Sequence, residues 1–287
     1  MKNHRNRFIL SALVLAAANV VVWSFVIGSE SATARIAFLE VGQGDSALVE
    51  FPNGGTPAQL LIDGGPPNGA ALRELGKLLP PHDRYLDLVV MTHPQEDHFG
   101  GLIELVHRYD IGAFLWSGRE GATDSYRELM RTLDARGVRK IAVGAGDRIT
   151  VGDNEVLVLA PTLGLLSARD LNETSVVLKV VLSGARAIFT GDAGKETEAV
   201  LTRMDIGPID ILKVGHHGSR FSSSEPFLAA LEPALAVIPV GENSYGHPTR
   251  EALERISHIG ATVLRTDEHG TVEVFPRGET ITIRAAR

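Results

Sequence analysis

Short apolar runs that stop on a His or an Asp are the feature that most restricts how this chain of 287 residues can fold. Residues 59–62 stop at Asp63, 86–92 at His93, 188–191 at Asp192 and 212–215 at the pair His216-His217. Runs this short, bounded by Gly, Pro, Asn and Asp, read as buried strands and not as helices. Strands that all finish in side chains able to bind a metal or move a proton would place those groups along one edge of a sheet. That is where α/β proteins build their sites.

The rest of the chain reads as sheets covered by helices. With 30 Gly and 14 Pro in no regular period, it is turn-rich and does not suit a helical bundle. Further strands are expected at 35–41, 47–51, 139–143, 155–160, 175–182, 235–239, 262–265 and 271–275. Helices are expected at 70–79, 125–136, 195–204, 225–231 and 249–259, and another opens just after His93. No tandem repeat or long linker divides this region, so 35–287 is expected to be one domain.

Residues 1–34 stand apart. Lys2, Arg5 and Arg7 precede an uncharged run at 8–27 that is interrupted only by Ser11, Asn19 and Ser24. About 20 mostly apolar residues suffice to span a bilayer, and Ala32-Thr33-Ala34 would also pass as a small-residue cleavage site. The expectation is one N-terminal transmembrane or signal helix in the cytoplasmic membrane, either kept as an anchor or cleaved. The basic flank stays inside, which leaves residues 35–287 extracytoplasmic, or secreted if the segment is removed. That remainder carries 25 basic against 34 acidic residues, a net charge of −9. Such a balance does not suggest a surface coated in phosphate-binding patches.

The absence of cysteine excludes disulfides, thiolate nucleophiles and Cys-based zinc sites. Any metal must be held by His, Asp, Glu, Asn or Gln. The densest source is Thr92-His93-Pro94-Gln95-Glu96-Asp97-His98-Phe99-Gly100-Gly101, at a strand-to-helix turn. Such a turn can aim two imidazoles and a carboxylate at neighbouring points, as a pair of ions requires. Taken singly, the later segments have ordinary structural readings: Asp192 could cap the next helix, and Asn172 could make an Asx turn. A Ser-His-Asp triad can be drawn from these pieces, but no nucleophile elbow supports it.

Eight motifs, in order along the chain, resemble the metallo-β-lactamase superfamily. They are similar above all to the C-terminal hydrolase domain of ComEC-type competence proteins and its free-standing relatives. The motifs are Val41-Gly42-Gln43-Gly44-Asp45-Ser46, Leu61-Ile62-Asp63-Gly64-Gly65, Thr92 through Gly101, Asn172-Glu173-Thr174-Ser175, Thr190-Gly191-Asp192, His216-His217-Gly218-Ser219, Tyr245-Gly246-His247-Pro248, and Arg265-Thr266-Asp267-Glu268-His269-Gly270. The resemblance implies an α+β fold, an αββα four-layer sandwich with its active site along one edge. It implies one or two divalent ions, zinc or manganese. His93 would bind the first ion, Asp97 and His98 the second, and Asp192 would bridge. His216 is favoured to complete the second site, with His217 as the alternative. Asp63 would orient a ligand His, and Asp45 would lie behind the ligands or meet substrate.

Two positions depart from the family pattern. Gln95 stands where the superfamily has a second His, and Asn172 stands where it has its third-motif His. With only amide oxygens there, one firm and one weak, exchangeable ion site are expected, and oxygen-rich ligation shifts preference from zinc toward manganese or magnesium. The ions would activate a water for attack on phosphorus or a carbonyl, with Asp97 or Asp192 accepting a proton. Lys213 and Arg220 could hold a phosphate; Ser219 belongs to a loop beside the mouth, and His247 either lines the site or forms a structural turn. The resulting expectation is a membrane-anchored phosphodiesterase or nuclease acting on DNA or a small phosphodiester. The alternatives are hydrolysis of a small ester or β-lactam, and a non-catalytic metal-binding or scaffold module that has lost one ion.

Overall fold

The computed structural model describes residues 33–278 and 280–287, together with Leu15, Ala16 and Asn19. The expected span at 8–27 lies outside the described residues except at those three positions. Among the described residues, no helix is long and apolar enough to cross a membrane.

Six strands open the fold: β1 (Arg35–Phe38), β2 (Ala47–Phe51), β3 (Ala58–Ile62), β4 (Tyr85–Met91), β5 (Asp110–Trp116) and β6 (Arg139–Ala142). Seven more build a second sheet: β7 (Arg148–Val151), β8 (Asn154–Ala160), β9 (Val177–Leu182), β10 (Ala185–Phe189), β11 (Ile211–Lys213), β12 (Leu235–Ile238) and β13 (Thr262–Arg265), with strand order 13-12-11-10-9-8-7. The chain then returns to the first sheet with β14 (Val272–Arg277) and β15 (Thr280–Ala285), giving the order 15-14-1-2-3-4-5-6. Helices α1 (Ala70–Leu78), α2 (Glu96–Arg108) and α3 (Asp124–Ala135) follow strands of the first sheet, and α4 (Lys195–Leu201), α5 (Glu225–Leu231) and α6 (Arg250–His258) follow strands of the second. A one-turn α7 (Thr266–His269) lies between β13 and β14.

Three apolar clusters define four layers. Between the sheets, Ile36, Phe38, Val49 and Ile62 meet Val158, Leu178, Phe189 and Ile211, and the rings of Phe38 and Phe189 stack with centroids 5.7 Å apart. Outside the first sheet, Ala37, Leu61 and Val89 pack under Leu75, Phe99 and Leu129 of α1, α2 and α3. Outside the second, Ile188 and Leu212 pack under Leu201, Leu228 and Ile256 of α4, α5 and α6. Side chains alternate faces along a strand, so Phe189 points between the sheets while Ile188 points to the helices. Strand segments covered on both faces are apolar at successive positions, which is why the later parts of β3, β4 and β10, at 60–62, 88–91 and 187–189, read as unbroken runs. The expected αββα arrangement is what the chain adopts.

Three strands escaped the sequence reading, each for a local reason. β5 begins two residues after α2, with no Gly or Pro between them, and it contains Gly112. β7 has four residues, and β15 is a mostly exposed edge strand with alternating polarity. The parallel pairs β3·β4 and β10·β11 position the site, because their carboxyl ends lie side by side within each sheet.

Candidate metal centre

Asp63 follows β3 in the left-handed region, with φ 59°, and organises the first half of the centre. Its Oδ1 accepts from Thr92 N at 2.8 Å, and its Oδ2 accepts from Thr92 Oγ1 at 2.7 Å. The same Oδ2 lies 2.8 Å from His98 Nδ1. That contact assigns the Nδ1 proton and turns Nε2 inward, where it lies 3.2 Å from Asp192 Oδ1. Helix α2 can start this close to Asp63 because its first turns carry glycine. A Cβ on Gly101 would lie 2.1 Å from Gly64 O.

The second half comes from β10 and β11. Asp192 follows Gly191 at the end of β10 and is buried. After β11, His216 and His217 both adopt left-handed backbone, with φ 49° and 51°, a conformation disfavoured for residues with a Cβ. Consecutive left-handed residues splay the rings, whose centroids lie 6.2 Å apart at 78°. His217 turns inward: its Nδ1 lies 3.0 Å from Pro239 O, and its Nε2 lies 3.3 Å from Asp97 Oδ2 and 3.6 Å from Asp192 Oδ2. His216 turns to the mouth, with Nε2 3.9 Å from Asp192 Oδ2. The expectation that favoured His216 is therefore corrected. The backbone twist brings its neighbour to Asp97 and Asp192.

Ligand-type atoms of His93, His98 and Asp192 lie within 4.8 Å of one another, as do those of Asp97, His98 and His217, and those of Asp45, Asp192 and His217. His93 Nε2 is buried with no hydrogen-bond partner among the described residues. Burial, with the charge of neighbouring His98, lowers the His93 pKa to about 3, so it presents a neutral ring. Burial opposes ionisation of Asp97, but the His217 hydrogen bond and the His98 charge outweigh it and hold the carboxyl at about 2. Burial likewise opposes charge on His217, yet Asp192 and Asp45 raise it to about 10. His98 is raised in the same way by Asp192, Asp45 and Asp63 against the effect of burial. A knot of buried carboxylates and imidazoles that share protons in this manner fits a divalent cation, which replaces those protons.

The remaining expected residues divide between the interior and the rim. Ile211 faces the space between the sheets, so Lys213, two residues on, faces it too. It is buried, ion-paired to Asp45, donates to Gly191 O at 2.7 Å and lies 3.8 Å from Asp192 Oδ1. Lys213 is thus a buried countercharge and does not grip phosphate at the mouth, contrary to expectation. Asp45 lies 3.3 Å from His217 Nδ1, behind the ligand-type atoms. Ser219 is buried and accepts from Phe221 N, shaping the loop. Arg220 is exposed, with its guanidinium over the Phe221 ring at 5.0 Å.

The mouth is a cavity of about 450 Å³ walled by Gln95, Asp97, Asn172, His216, Tyr245 and His247. His247 is drawn into this wall, with its ring 5.4 Å from that of His216 and 5.8 Å from that of exposed Tyr245. Burial and the neighbouring His216 and His217 lower its pKa to about 4. Sequence reasoning gave no role to Tyr245 or to the Pro239 carbonyl that orients His217. The first was visible beside His247 in its motif, whereas a backbone carbonyl leaves no sequence signal.

Two facing sheets that deliver imidazoles and carboxylates to one shared edge define a class, the metal-dependent hydrolases built as αββα sandwiches. The chain belongs to the metallo-β-lactamase superfamily, whose family model matches residues 39–242. It is 30% identical over 268 residues to ComE operon protein 3 of Bacillus subtilis (strain 168), covering 87% of this chain and 34% of that protein. It is also 30% identical over 247 residues to competence protein ComA of Neisseria gonorrhoeae, covering 84% and 32%. The chain thus spans about a third of the length of these relatives. Among solved structures, the metallo-β-lactamase fold protein YhfI from Bacillus subtilis matches with a TM-score of 0.56 over 84% of this chain and 99% of YhfI. At 11% identity that is a likeness of fold alone. The resemblance drawn from the motifs to ComEC-type competence proteins holds.

Proposed function

We propose that the chain is a metal-dependent phosphodiesterase with nuclease-like action, anchored in the cytoplasmic membrane by residues 1–34 and working on the extracytoplasmic side. The observation that carries this reading is the convergence of Asp97, His98, Asp192 and His217, with His93 beside them, at the floor of an open cavity. These residues would hold zinc or manganese. A bound ion of this kind supplies Lewis acidity and lowers the pKa of a water to near neutrality.

The chain's own groups supply the rest. Asp97, a third exposed and charged down to about pH 2, can accept a proton from the attacking water. Asp63 and Pro239 O fix the rings of His98 and His217. His216 and the neutral ring of His247 line the mouth, where a phosphodiester would enter. Competence in the name of one relative, ComA of Neisseria gonorrhoeae, favours DNA as substrate, while the net charge of −9 after residue 34 favours a short or small one.

The test is turnover by the full chain, purified in detergent, stripped of metal and reloaded with manganese or zinc. The substrates are single-stranded DNA and bis-(p-nitrophenyl) phosphate, with Asp97→Ala as control. Metal-dependent cleavage lost in Asp97→Ala is the expected result. A folded, metal-loaded chain that cleaves neither substrate would falsify the reading and leave a binding module in its place.

A further inference from the structure

Three rim residues that two ions would need as ligands are instead tied to one another. Gln95 Nε2 donates to Asn172 Oδ1 at 2.6 Å, and Asn172 Nδ2 lies 3.3 Å from His216 Nδ1. An amide NH2 can only donate, so His216 Nδ1 is the acceptor and the ring proton sits on Nε2. The two inward histidines are oriented the other way. His98 directs Nδ1 at Asp63, and His217 directs Nδ1 at Pro239 O, which leaves Nε2 of each as the atom that can meet an ion. His216 cannot do this in its relayed tautomer. Its Nε2–H belongs to a side chain that is 29% exposed and opens on the cavity.

Counting donors gives the same division. Asp97, His98, Asp192 and His217 form a full set of four for one ion. A second ion would have His93, a shared Asp192 and at most the neutral oxygen of Gln95, since the Asn172 oxygen already accepts from the Gln95 amide. Sites that retain a catalytic ion use about three protein ligands.

We infer that this chain holds a single divalent ion at Asp97, His98, Asp192 and His217. The relay from Gln95 through Asn172 makes His216 a hydrogen-bond donor to a phosphoryl oxygen in the cavity. The stoichiometry stands on the family and the geometry alone; the donor role rests on the phosphodiester reading above.

The experiment measures metal content and phosphate affinity, neither of which needs turnover. The full chain, stripped and saturated with zinc or manganese, then dialysed, is expected to retain one ion by elemental analysis. His217→Ala loses that ion and His216→Ala keeps it. Binding of inorganic phosphate to the metal-loaded chain, followed by calorimetry, weakens about tenfold in His216→Ala, as expected for losing a hydrogen bond to a charged group. His216→Gln, which retains an N–H donor, recovers part of the loss. The double substitution Gln95→His and Asn172→His raises the content to two ions. Two retained ions in the unaltered chain, or loss of the ion in His216→Ala, overturns the single-ion assignment. Unchanged phosphate affinity in His216→Ala overturns the donor role. If these results hold in a chain that cleaves no phosphodiester, the activity reading alone has failed.

Discussion

At the scale of single residues, the least expected group is Lys213, a cation buried among the acids it neutralises. Replacing it by Met leaves Asp45 charged and buried without its lysine partner, with only the His217 and His98 rings nearby, and breaking such a pair costs about 3–5 kcal/mol. Urea denaturation of Lys213→Met should show a loss of that size, and adding Asp45→Asn should recover much of it. His217 sets the response to pH. Its pKa is raised to about 10, so its contribution to the metal-free fold is complete below its ordinary pKa near 6.5 and is lost as pH rises through 10. An ion needs the neutral ring, so apparent metal affinity should climb from pH 6.5 toward 10. Calorimetry in buffers of different ionisation enthalpy should record proton release on binding at pH 7. The choice between His216 and His217 could not be read from sequence. It depends on two consecutive left-handed backbone positions, and their neighbours Gly215 and Gly218 give no cue to which ring turns inward.

At the scale of elements, the continuous apolar runs were legible because each is sealed on both faces. The ends of β3, β4, β10 and β11 announced the site through the polar residues that follow them. What stayed hidden was contact between elements. Lys213 reads as a free cation until the alternation of β11 puts it between the sheets, and Gln95 reads as a lost ligand until Asn172 lies 2.6 Å away. The same kind of contact makes Gly101 indispensable. A methyl there would press on the Gly64 carbonyl and prise α2 from the Asp63 loop. Gly101→Ala should lose about 3 kcal/mol, at the upper end for overpacking, and should weaken metal binding because Asp63 and His98 are driven apart. Thermal melts and zinc titration of the same variant would check both. A second buried carboxylate has a role unrelated to metal. Glu173 accepts from Glu196 N, Thr197 N and Thr197 Oγ1 and holds the start of α4, so Glu173→Ala should lower stability by about 1 kcal/mol, the usual worth of a helix cap, and leave metal content unchanged.

At the scale of the whole molecule, the two sheets are contributed by largely separate stretches of chain, and the centre draws on both. Asp97 and His98 come with the first sheet, Asp192 and His217 with the second. No fragment carrying one sheet can therefore present the four groups. Since an ion that binds only the assembled state stabilises it by about 4 kcal/mol at a thousandfold excess over Kd, the melting temperature should rise with free metal and flatten in His217→Ala, as differential scanning calorimetry would show. The seam between the sheets thus acts as a proofreading step in biogenesis. A half-made chain offers only part of the ligand set, so acquiring the ion would mark the moment at which both halves have arrived.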